Sequence, residues 1–205
     1  MASNPASVRQ KLLPTARRLL LEARIRRRLP QVGGRVLVIG AGHDPYRDFL
    51  DAADWVVSTD IDAEVGAPAC LADAHQLPFA DESFDAVVAL EVFEHLHSPQ
   101  AASAEMLRVM RKGSLGIVSI PFMFHVHGDP NDYTRLTRSG LAQLFGGFSD
   151  VRVSSMGGRL HVISDLITTG ARWLAPLRLV NHALANLARS GSDDCPTGYW
   201  VEVAK

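Results

Sequence analysis

A buried strand that ends in a glycine turn constrains the fold of this chain more than any other feature. Residues 35–44 read Arg-Val-Leu-Val-Ile-Gly-Ala-Gly-His-Asp, so an apolar run leads directly into Gly40 and Gly42. A short run rich in β-branched residues is typical of a buried parallel strand, and glycines allow the backbone to approach a ligand closely. Asp44 and Pro45 match an N-cap and a first helical residue, which predicts a helix over about residues 44–52. Strand, turn and helix together predict a site for an anionic group of a cofactor.

Strand-like and helix-like segments alternate along the rest of the chain. Strand patterns occur near residues 55–59, 69–71, 86–90, 115–120, 151–154 and 199–203, and helical patterns over 14–29, 99–110, 137–145 and 160–190. This alternation predicts the α/β class, with a mainly parallel sheet that carries helices on both faces. Pro176 is expected to divide residues 160–190 into two helices.

Length and charge predict how the chain is divided. We expect residues 1–30 to form a basic helical extension and residues 31–205 to form the main domain, with residues 160–190 as a helical insertion before the last strand. Residues 1–30 contain eight lysine or arginine residues and one acidic residue, Glu22. Two interpretations stay open: a helix docked on the domain with a solvated basic face, or a peripheral contact with anionic lipid head groups or an acidic substrate.

Several classes of protein are disfavoured by composition. Cys70 and Cys195 lack a zinc-type spacing and are too few for a disulfide framework, which predicts free thiols and a cytoplasmic location. No apolar run approaches the ~18 residues of a membrane span, and arginines interrupt the N-terminal apolar stretch, so it is a poor secretory signal. The basic residues lie in one helix without interleaved aromatic residues, so we expect no nucleic-acid partner.

An aspartate at the end of the second strand suits a nucleoside ligand. Asp60 follows Gly40 by about 20 residues, the separation at which an acidic residue reaches ribose hydroxyls in dinucleotide-type folds. A carboxylate accepts hydrogen bonds from two neighbouring hydroxyls at once. The alternative is that Asp60 only caps the following turn, and its position at a strand end favours the ligand role.

These motifs, taken together, resemble the class I S-adenosylmethionine-dependent methyltransferases, and more narrowly the type 11 subgroup. The resemblance is close over about residues 35–120. The segments that carry it are Val36–Gly42, Asp60–Ile61, Asp73–Ala74, Leu77–Asp85 (the most specific), Glu91–Leu96 and Arg108–Gly113. The chain departs from the family where His43 and Asp44 replace a third glycine, and where Ser114 and Leu115 replace a proline–glycine pair.

The resemblance implies a fold, a cofactor and the residues that bind it. The implied fold is a Rossmann-like, doubly wound, seven-stranded sheet of order 3-2-1-4-5-7-6, with strand 7 antiparallel and extra helices near the N-terminus and in the C-terminal half. The implied cofactor is S-adenosylmethionine. The implied cofactor-binding residues are Gly40, Ala41, Gly42, Asp60, Ile61, Asp73, Ala74 and Glu91. The implied activity is transfer of a methyl group, in which the enzyme mainly holds the nucleophile and the methyl group in line.

The acceptor side is expected in the loop after the fifth strand. Residues 121–137 resemble a P-x-D-Y-x-R-x-T loop of methyltransferases encoded with glycan and secondary-metabolite pathways. His125 and His127 are candidate general bases there, and His95 is another, because neutral imidazole accepts a proton near pH 7. Tyr133 and Arg135 are candidates for positioning the acceptor, which we expect to be a small-molecule, glycan or lipid-linked oxygen. The alternative is a purely structural lid with ordinary polar histidines.

A metal site and two other functions are the alternatives to this interpretation. Glu91, Glu94 and His95, with one loop histidine, also resemble a metal cluster of RNA 3′-end methyltransferases. A single carboxylate–histidine run is weak evidence for a metal, so the sequence predicts none. A nicotinamide-dependent oxidoreductase would share the glycine turn but lacks the third glycine and leaves Asp73 and residues 77–85 unexplained. A non-catalytic module that binds S-adenosylmethionine is the remaining alternative.

Overall fold

The architecture is seen in a computed structural model that describes residues 13–43, 46–64, 68–127, 131–170, 172–187 and 194–205. Contacts group the chain into two compact units. The first contains residues 1–24, 122–125 and 155–198, and the second contains residues 25–121, 126–154 and 199–205. The division into an extension and a main domain that the sequence suggests stays a prediction.

A seven-stranded sheet organises the fold. Its strands are β1 (Gly34–Ile39), β2 (Ala53–Asp60), β3 (Cys70–Leu71), β4 (Phe84–Leu90), β5 (Met110–Pro121), β6 (Asp150–Met156) and β7 (Gly198–Ala204). The order across the sheet is β3-β2-β1-β4-β5-β7-β6. Strands β1 to β5 pair in parallel and β7 is antiparallel. The fold class, strand order and direction expected from the sequence are therefore confirmed.

The register of the central strands brings their carboxyl ends to one edge. Ile39 pairs with Thr59 across β1 and β2, and Leu90 pairs with Ser119 across β4 and β5. In open parallel sheets ligands bind outside this edge. The residues that follow these strands, Gly40 after β1 and Glu91 after β4, therefore lie where a ligand is expected.

The central strands are apolar because they are buried on both faces. In β4, Ala86 to Leu90 are all buried, and in β1 the same holds for Val36 to Ile39. Gly116 in β5 shows how tightly a helix covers this sheet. A Cβ atom placed there would lie 2.3 Å from the Met106 Cε atom and 2.5 Å from the Val203 Cγ2 atom. Close packing of this kind fixes the strand ends that carry the candidate site.

Five α-helices lie in the described parts of the chain: α1 (Ala16–Arg28), α2 (Pro99–Val109), α3 (Arg138–Leu144), α4 (Arg159–Gly170) and α5 (Asn181–Leu187). Short 3₁₀ helices occupy Leu29–Gln31, Arg47–Phe49, Phe93–His95 and Arg172–Val180. Thr137 caps α3 as expected, because its hydroxyl oxygen accepts a hydrogen bond from the Gly140 amide.

Two expectations about elements need correction, and one about Pro176 is confirmed. The helix expected over residues 44–52 is replaced by one 3₁₀ turn at Arg47–Phe49, while Asp44 and Pro45 themselves lie outside the described residues. Strand β2 begins at Ala53, which leaves no residues to connect a longer helix to it. Strand β5 begins at Met110 rather than near Leu115. Pro176 lies in the 3₁₀ helix Arg172–Val180, between α4 and α5, so the expected division of residues 160–190 into two α-helices is confirmed.

The first unit contains a buried carboxylate that caps a helix. The Asp165 side chain of α4 accepts hydrogen bonds from the amides of Ala16 (2.7 Å) and Arg17 (2.9 Å), the first residues of α1. Burial raises the pKa of the Asp165 carboxyl above its ordinary value, although the two amides oppose this shift. The interaction joins α1 to the region of residues 160–190. The sequence patterns alone show these two segments as separate.

Two simple sequence expectations can be compared with the structure. Cys70 and Cys195 are free cysteines, as expected. Within the described residues, no helix has both the length and the apolar character needed to cross a membrane.

Candidate functional site

The glycine turn after β1 is closely packed and left-handed. Gly40 has φ of +62° and Gly42 has φ of +55°, a region that residues with a side chain adopt reluctantly. A Cβ atom on Gly40 would lie 2.6 Å from the Val92 Cγ2 atom. The Ala41 amide donates to the Thr59 carbonyl (2.9 Å), which fixes the turn against β2. The turn is therefore rigid, and only glycine fits at its first position.

Asp60 faces this turn from the end of β2. Its Oδ2 atom accepts a hydrogen bond from the Gly42 amide (2.8 Å), and its Oδ1 atom accepts one from the Asp62 amide (3.1 Å). Each carboxylate oxygen has a further lone pair, so the group can still accept hydrogen bonds from hydroxyls. The structure thus places Asp60 beside Gly42, and its role as a ligand of the cofactor stays a prediction.

Asp73, Ala74 and Ile61 complete the expected nucleoside side of the site. The Ala72 amide donates to the Asp60 carbonyl (2.9 Å), so the segment with Asp73 follows directly from β3 beside Asp60. Hydrogen bonds from the His75 amide and ring lower the pKa of the Asp73 carboxyl against the effect of burial, so Asp73 is a carboxylate at neutral pH. Ala74 is buried, whereas Ile61 is 70% exposed and available to cover a flat ring.

Glu91 marks the end of β4 with an unusual backbone. Its φ is +60°, which is uncommon for a residue other than glycine and is frequently found at functional sites. The Glu91 amide donates to the Ser119 carbonyl (3.0 Å), and the Ser119 hydroxyl donates to Glu91 Oε1 (2.7 Å). The left-handed residue directs the chain from β4 into the 3₁₀ turn Phe93–His95.

The segment that carries the most specific resemblance supports the fold rather than the site. Arg108 in α2 donates to the carbonyls of Leu77 (3.0 Å) and Phe79 (2.7 Å) and to the carboxylate of Asp81 (2.8 Å). Glu105 binds the same guanidinium and also accepts from the Leu77 amide (2.8 Å). These contacts explain why residues 77–85 and Arg108 occur together in the sequence pattern.

The three candidate histidines have different surroundings in the structure. The His95 ring, on the 3₁₀ turn after β4, donates from Nδ1 to the Asn131 carbonyl. His127 lies close to it, with the two ring centroids 5.2 Å apart. His125 belongs to the first unit, where its ring lies 4.2 Å from the ring of Phe124. The structure therefore brings His95 and His127 together.

A buried carboxylate joins these two histidines. Glu94 is 0% exposed, and its Oε1 atom lies 3.7 Å from the Nε2 atoms of both His95 and His127. Among the described residues, Glu94, His95 and His127 bring their ligating atoms within 4.8 Å of one another, a spacing that fits a metal ion. The expectation that the protein binds no metal stays a prediction.

An ion pair holds the acceptor-side loop. The Arg135 guanidinium binds both carboxylate oxygens of Asp132, whose side chain is 3% exposed. Burial acts to raise the pKa of the Asp132 carboxyl, but Arg135 and the His127 amide outweigh it and hold that pKa below its ordinary value. The Tyr133 amide donates to the Glu94 carbonyl (2.8 Å), and the Tyr133 side chain is exposed.

Sequence reasoning missed three contributors to this arrangement. Glu94 was considered only for a metal, Asp132 was not singled out, and the Asn131 carbonyl gives no signal in a side-chain pattern. Asp132 and Arg135 have opposite charges three residues apart, which is a detectable signal for an ion pair. Glu94 lies between Phe93 and His95 on a short turn, and the burial of its carboxylate is visible only in three dimensions.

Comparison with known proteins finds a family similarity over part of the chain. Residues 37–118 match the family model described as a methyltransferase domain. An uncharacterized methyltransferase of Mycobacterium avium is 38% identical over 78 residues, which are 38% of this chain and 29% of that protein. The chain thus spans less than half the length of this curated relative.

Solved structures show the same fold. A SAM-dependent methyltransferase from Archaeoglobus fulgidus matches with a TM-score of 0.64 at 19% identity, covering 98% of this chain and 100% of that one. Phosphoethanolamine N-methyltransferase 2 of Haemonchus contortus, in complex with S-adenosylmethionine, matches with a TM-score of 0.62 at 18% identity. That match covers 92% of this chain and 52% of the nematode protein.

Proposed function

We propose that this chain, whose residues 37–118 belong to the class I S-adenosylmethionine-dependent methyltransferases, transfers a methyl group to an oxygen of a small-molecule, glycan or lipid-linked acceptor. The proposal rests on one observation above all. The carboxylate of Asp60 lies against the glycine turn at the carboxyl edge of the sheet, through its hydrogen bond with the Gly42 amide. This is the edge at which open parallel sheets bind ligands.

The residues at this edge fit the cofactor by their chemistry. Gly40 and Gly42 carry no side chain, so a ligand can approach the backbone of the turn closely. The Asp60 carboxylate would accept hydrogen bonds from the ribose hydroxyls. The Asp73 carboxylate would accept one from the adenine amino group. Ala74 would donate its amide to a ring nitrogen, and Ile61 would cover the adenine. When bound, S-adenosylmethionine supplies an activated methyl group on a sulfonium.

The remaining cofactor contacts belong to the same proposal. Gly40, Ala41 and Gly42 would line the methionine end of the cofactor. Glu91 would contribute from the end of β4, where its left-handed backbone turns the chain past the glycine turn. Methyl transfer then requires mainly that the acceptor oxygen be held in line with the methyl group.

The acceptor is assigned to the loop that follows β5. The exposed ring of Tyr133 stands on a backbone fixed to Glu94, which suits contact with an acceptor. Arg135 was predicted to position the acceptor as well. Because its guanidinium is bound to Asp132, we propose that it acts first by fixing this loop and offers the acceptor only its remaining N–H groups.

Peripheral contact with anionic lipid through α1 forms part of the proposal for a lipid-linked acceptor. Arg26 and Arg27 near the end of α1 are exposed, and clusters of arginine beside a membrane favour anionic head groups. Sedimentation with phosphatidylglycerol vesicles, compared with phosphatidylcholine vesicles, tests this contact. Equal sedimentation with both kinds of vesicle would count against it.

The experiment that tests the function uses an extract as the source of acceptor. Extract of cells that lack the protein is incubated with the purified chain and S-adenosylmethionine carrying a deuterated methyl group, and the products are examined by mass spectrometry. We expect a new labelled metabolite that is absent without the protein. Binding of S-adenosylhomocysteine without any labelled product would instead favour a non-catalytic binding module.

A further inference from the structure

We propose that His95 is the general base that removes the acceptor's hydroxyl proton, and that the buried Glu94 carboxylate stabilises the imidazolium that this step creates. The inference rests on the proposed function and selects one base among three candidate histidines. It also gives Glu94 a role in the reaction. The argument depends on which ring nitrogen of His95 is free, on what surrounds that nitrogen, and on where the ring lies.

A hydrogen bond to a backbone carbonyl decides which ring nitrogen of His95 carries the proton. The Nδ1 atom contacts the Asn131 carbonyl oxygen, and a carbonyl oxygen can only accept a hydrogen bond. The proton of the neutral ring is therefore on Nδ1, and the lone pair is on Nε2. A general base needs such a lone pair, and the hydrogen bond to residue 131 fixes the ring that carries it.

The charge that His95 acquires is met by a buried carboxylate. Glu94 Oε1 lies 3.7 Å from His95 Nε2. This is too long for a direct hydrogen bond, so the Nε2 lone pair stays available, yet it is close enough for strong attraction once the ring is protonated. Because Glu94 is 0% exposed, water screens this attraction weakly. A fixed carboxylate of this kind stabilises charge that develops during the reaction.

His127 is held too firmly to serve as the base. Its amide donates to Asp132 Oδ2 (3.0 Å), and its Nδ1 atom lies 3.5 Å from the same oxygen and 3.4 Å from Arg135 Nη2. Its Nε2 atom lies 3.7 Å from the same Glu94 oxygen that faces His95. A guanidinium only donates, so His127 Nδ1 accepts from Arg135 and the proton of its neutral ring is on Nε2, which faces Glu94. No ring lone pair is then left for an acceptor hydroxyl, and His127 is a positioning residue.

The turn that carries His95 is attached to the cofactor side of the site. Val92 precedes the 3₁₀ turn Phe93–His95, and its side chain occupies the space beside Gly40 that a Cβ atom would need. The His95 amide donates to the Val92 carbonyl (2.9 Å), which closes the turn. The proposed base is thus three residues from the side chain that packs on the glycine turn.

The proposed step balances in atoms and charge. The acceptor hydroxyl gives its proton to His95 Nε2 as its oxygen forms a bond to the methyl carbon. The carbon–sulfur bond breaks, and its electron pair stays on sulfur as a neutral thioether. The products are a methyl ether, S-adenosylhomocysteine and a His95 imidazolium paired with Glu94, which releases its proton to water after the products leave.

Rates of methyl transfer test the assignment. Extract of cells that lack the protein supplies the acceptor, and transfer of tritiated methyl from S-adenosylmethionine is measured with purified variants. We expect His95→Gln to lower the initial rate about 100-fold or more, and Glu94→Gln about tenfold or more, because general bases contribute roughly 10²–10⁴. His182→Gln, at an exposed histidine of α5, is the matched control and should match the wild type.

Three further readouts keep the assignment falsifiable. The shift in melting temperature caused by S-adenosylhomocysteine should be the same in His95→Gln as in the wild type, which shows that the variant folds and binds cofactor. Nitrogen-15 NMR of labelled histidine, assigned with His95→Gln, should show the neutral His95 ring protonated on Nδ1. Treatment with a chelator should leave the wild-type rate unchanged.

The outcomes separate this inference from the proposed function. If the wild type transfers no label to any component of the extract, the proposed function fails. If the wild type is active and His95→Gln is equally active, only the assignment of the base is overturned. A His95 ring protonated on Nε2 would overturn it as well. A rate that falls on chelation and returns with a divalent cation would make His95 Nε2 a metal ligand instead.

Discussion

Gly40 is the single residue on which the cofactor side of the site depends most. It combines a left-handed backbone with the close approach of Val92, so two independent effects oppose any side chain there. Asp132 has a comparable position on the acceptor side, because it is almost fully buried and joins Arg135 to His127. Substitutions at Gly40 test the effect of backbone strain, and substitutions at Asp132 test the effect of charge. Each is compared with a control variant, so that a general loss of stability can be recognised.

Replacing Gly40 by alanine is expected to destabilise the fold and weaken cofactor binding. A left-handed backbone costs an L-residue roughly 1–2 kcal/mol, and the new Cβ atom would lie 2.6 Å from Val92 Cγ2. We expect the free energy of unfolding to fall by about 2–4 kcal/mol, because strain and steric overlap add. Urea denaturation and calorimetric titration with S-adenosylhomocysteine measure the two effects.

Gly113→Ala is the matched control for this change. Gly113 also has a positive φ, +77°, but no atom lies within 4 Å of the position of a new Cβ atom. We expect a loss of about 1 kcal/mol from backbone strain alone and an unchanged affinity for S-adenosylhomocysteine. Equal effects of the two substitutions would contradict the role assigned to Gly40.

Replacing Asp132 by asparagine should destabilise the protein in a pH-dependent way. The folded-state pKa of Asp132 is below its ordinary value, because Arg135 and the His127 amide outweigh burial. Its contribution is therefore complete above the unfolded-state pKa of about 3.9 and is lost as pH falls through the lower folded-state value. We expect Asp132→Asn to lower the free energy of unfolding by roughly 2 kcal/mol at pH 7, with a difference that shrinks below about pH 4.

Asp150→Asn provides the comparison for Asp132. Asp150 pairs with Arg152, whose side chain is 76% exposed, so the ion pair is screened by water. Its removal is expected to change stability by less than about 0.5 kcal/mol at any pH. A difference between wild type and Asp132→Asn that stays constant from pH 7 to pH 3 would show that the charge of Asp132 is not what stabilises the loop.

At the scale of elements, Arg108 links a helix to the connection between β3 and β4. Its guanidinium donates to the carbonyls of Leu77 and Phe79 and to the carboxylate of Asp81. It also donates to Glu105, and this hydrogen bond lowers the pKa of the Glu105 carboxyl. The connection has little regular structure, so these hydrogen bonds replace those of a strand or helix.

Arg108→Ala is expected to cost about 2–4 kcal/mol of unfolding free energy. The change removes several charge-assisted hydrogen bonds and leaves the carbonyls that they satisfied partly buried. Arg152→Ala, at the exposed pair with Asp150, should cost less than about 0.5 kcal/mol. Chemical denaturation measures both variants, and comparable losses in the two would contradict the linking role of Arg108.

The same scale shows which elements are predictable from sequence. The strand over Gly34–Ile39 and the turn at Gly40 follow from local signals, namely β-branched apolar residues and glycine chemistry. The helix expected over residues 44–52 is wrong, since β2 begins at Ala53 and takes up the residues that the connection would need. Strand boundaries depend on pairing with neighbouring strands, which local patterns do not contain.

At the scale of the whole molecule, the two sides of the site differ in how far the sequence describes them. The proposed cofactor side follows the ends of β1, β2, β3 and β4, so topology alone places Gly40, Asp60 and Asp73 at one edge of the sheet. The acceptor side depends on contacts such as that of His95 with Asn131, 36 residues away. No spacing rule predicts such a contact, so the sequence left three histidines as equal candidates.

The central claim is that Asp60 and the glycine turn hold one molecule of S-adenosylmethionine. Calorimetric titration with S-adenosylhomocysteine tests it most directly, with wild type, Asp60→Ala and Asp62→Ala compared. Asp62 is an exposed neighbour whose carboxylate accepts from the Glu64 amide, so it is the matched control. We predict one site per chain, an affinity lowered roughly 10–100-fold by Asp60→Ala, and no change with Asp62→Ala. Absence of binding to the wild type at millimolar ligand, or equal affinity of Asp60→Ala and wild type, would contradict the account.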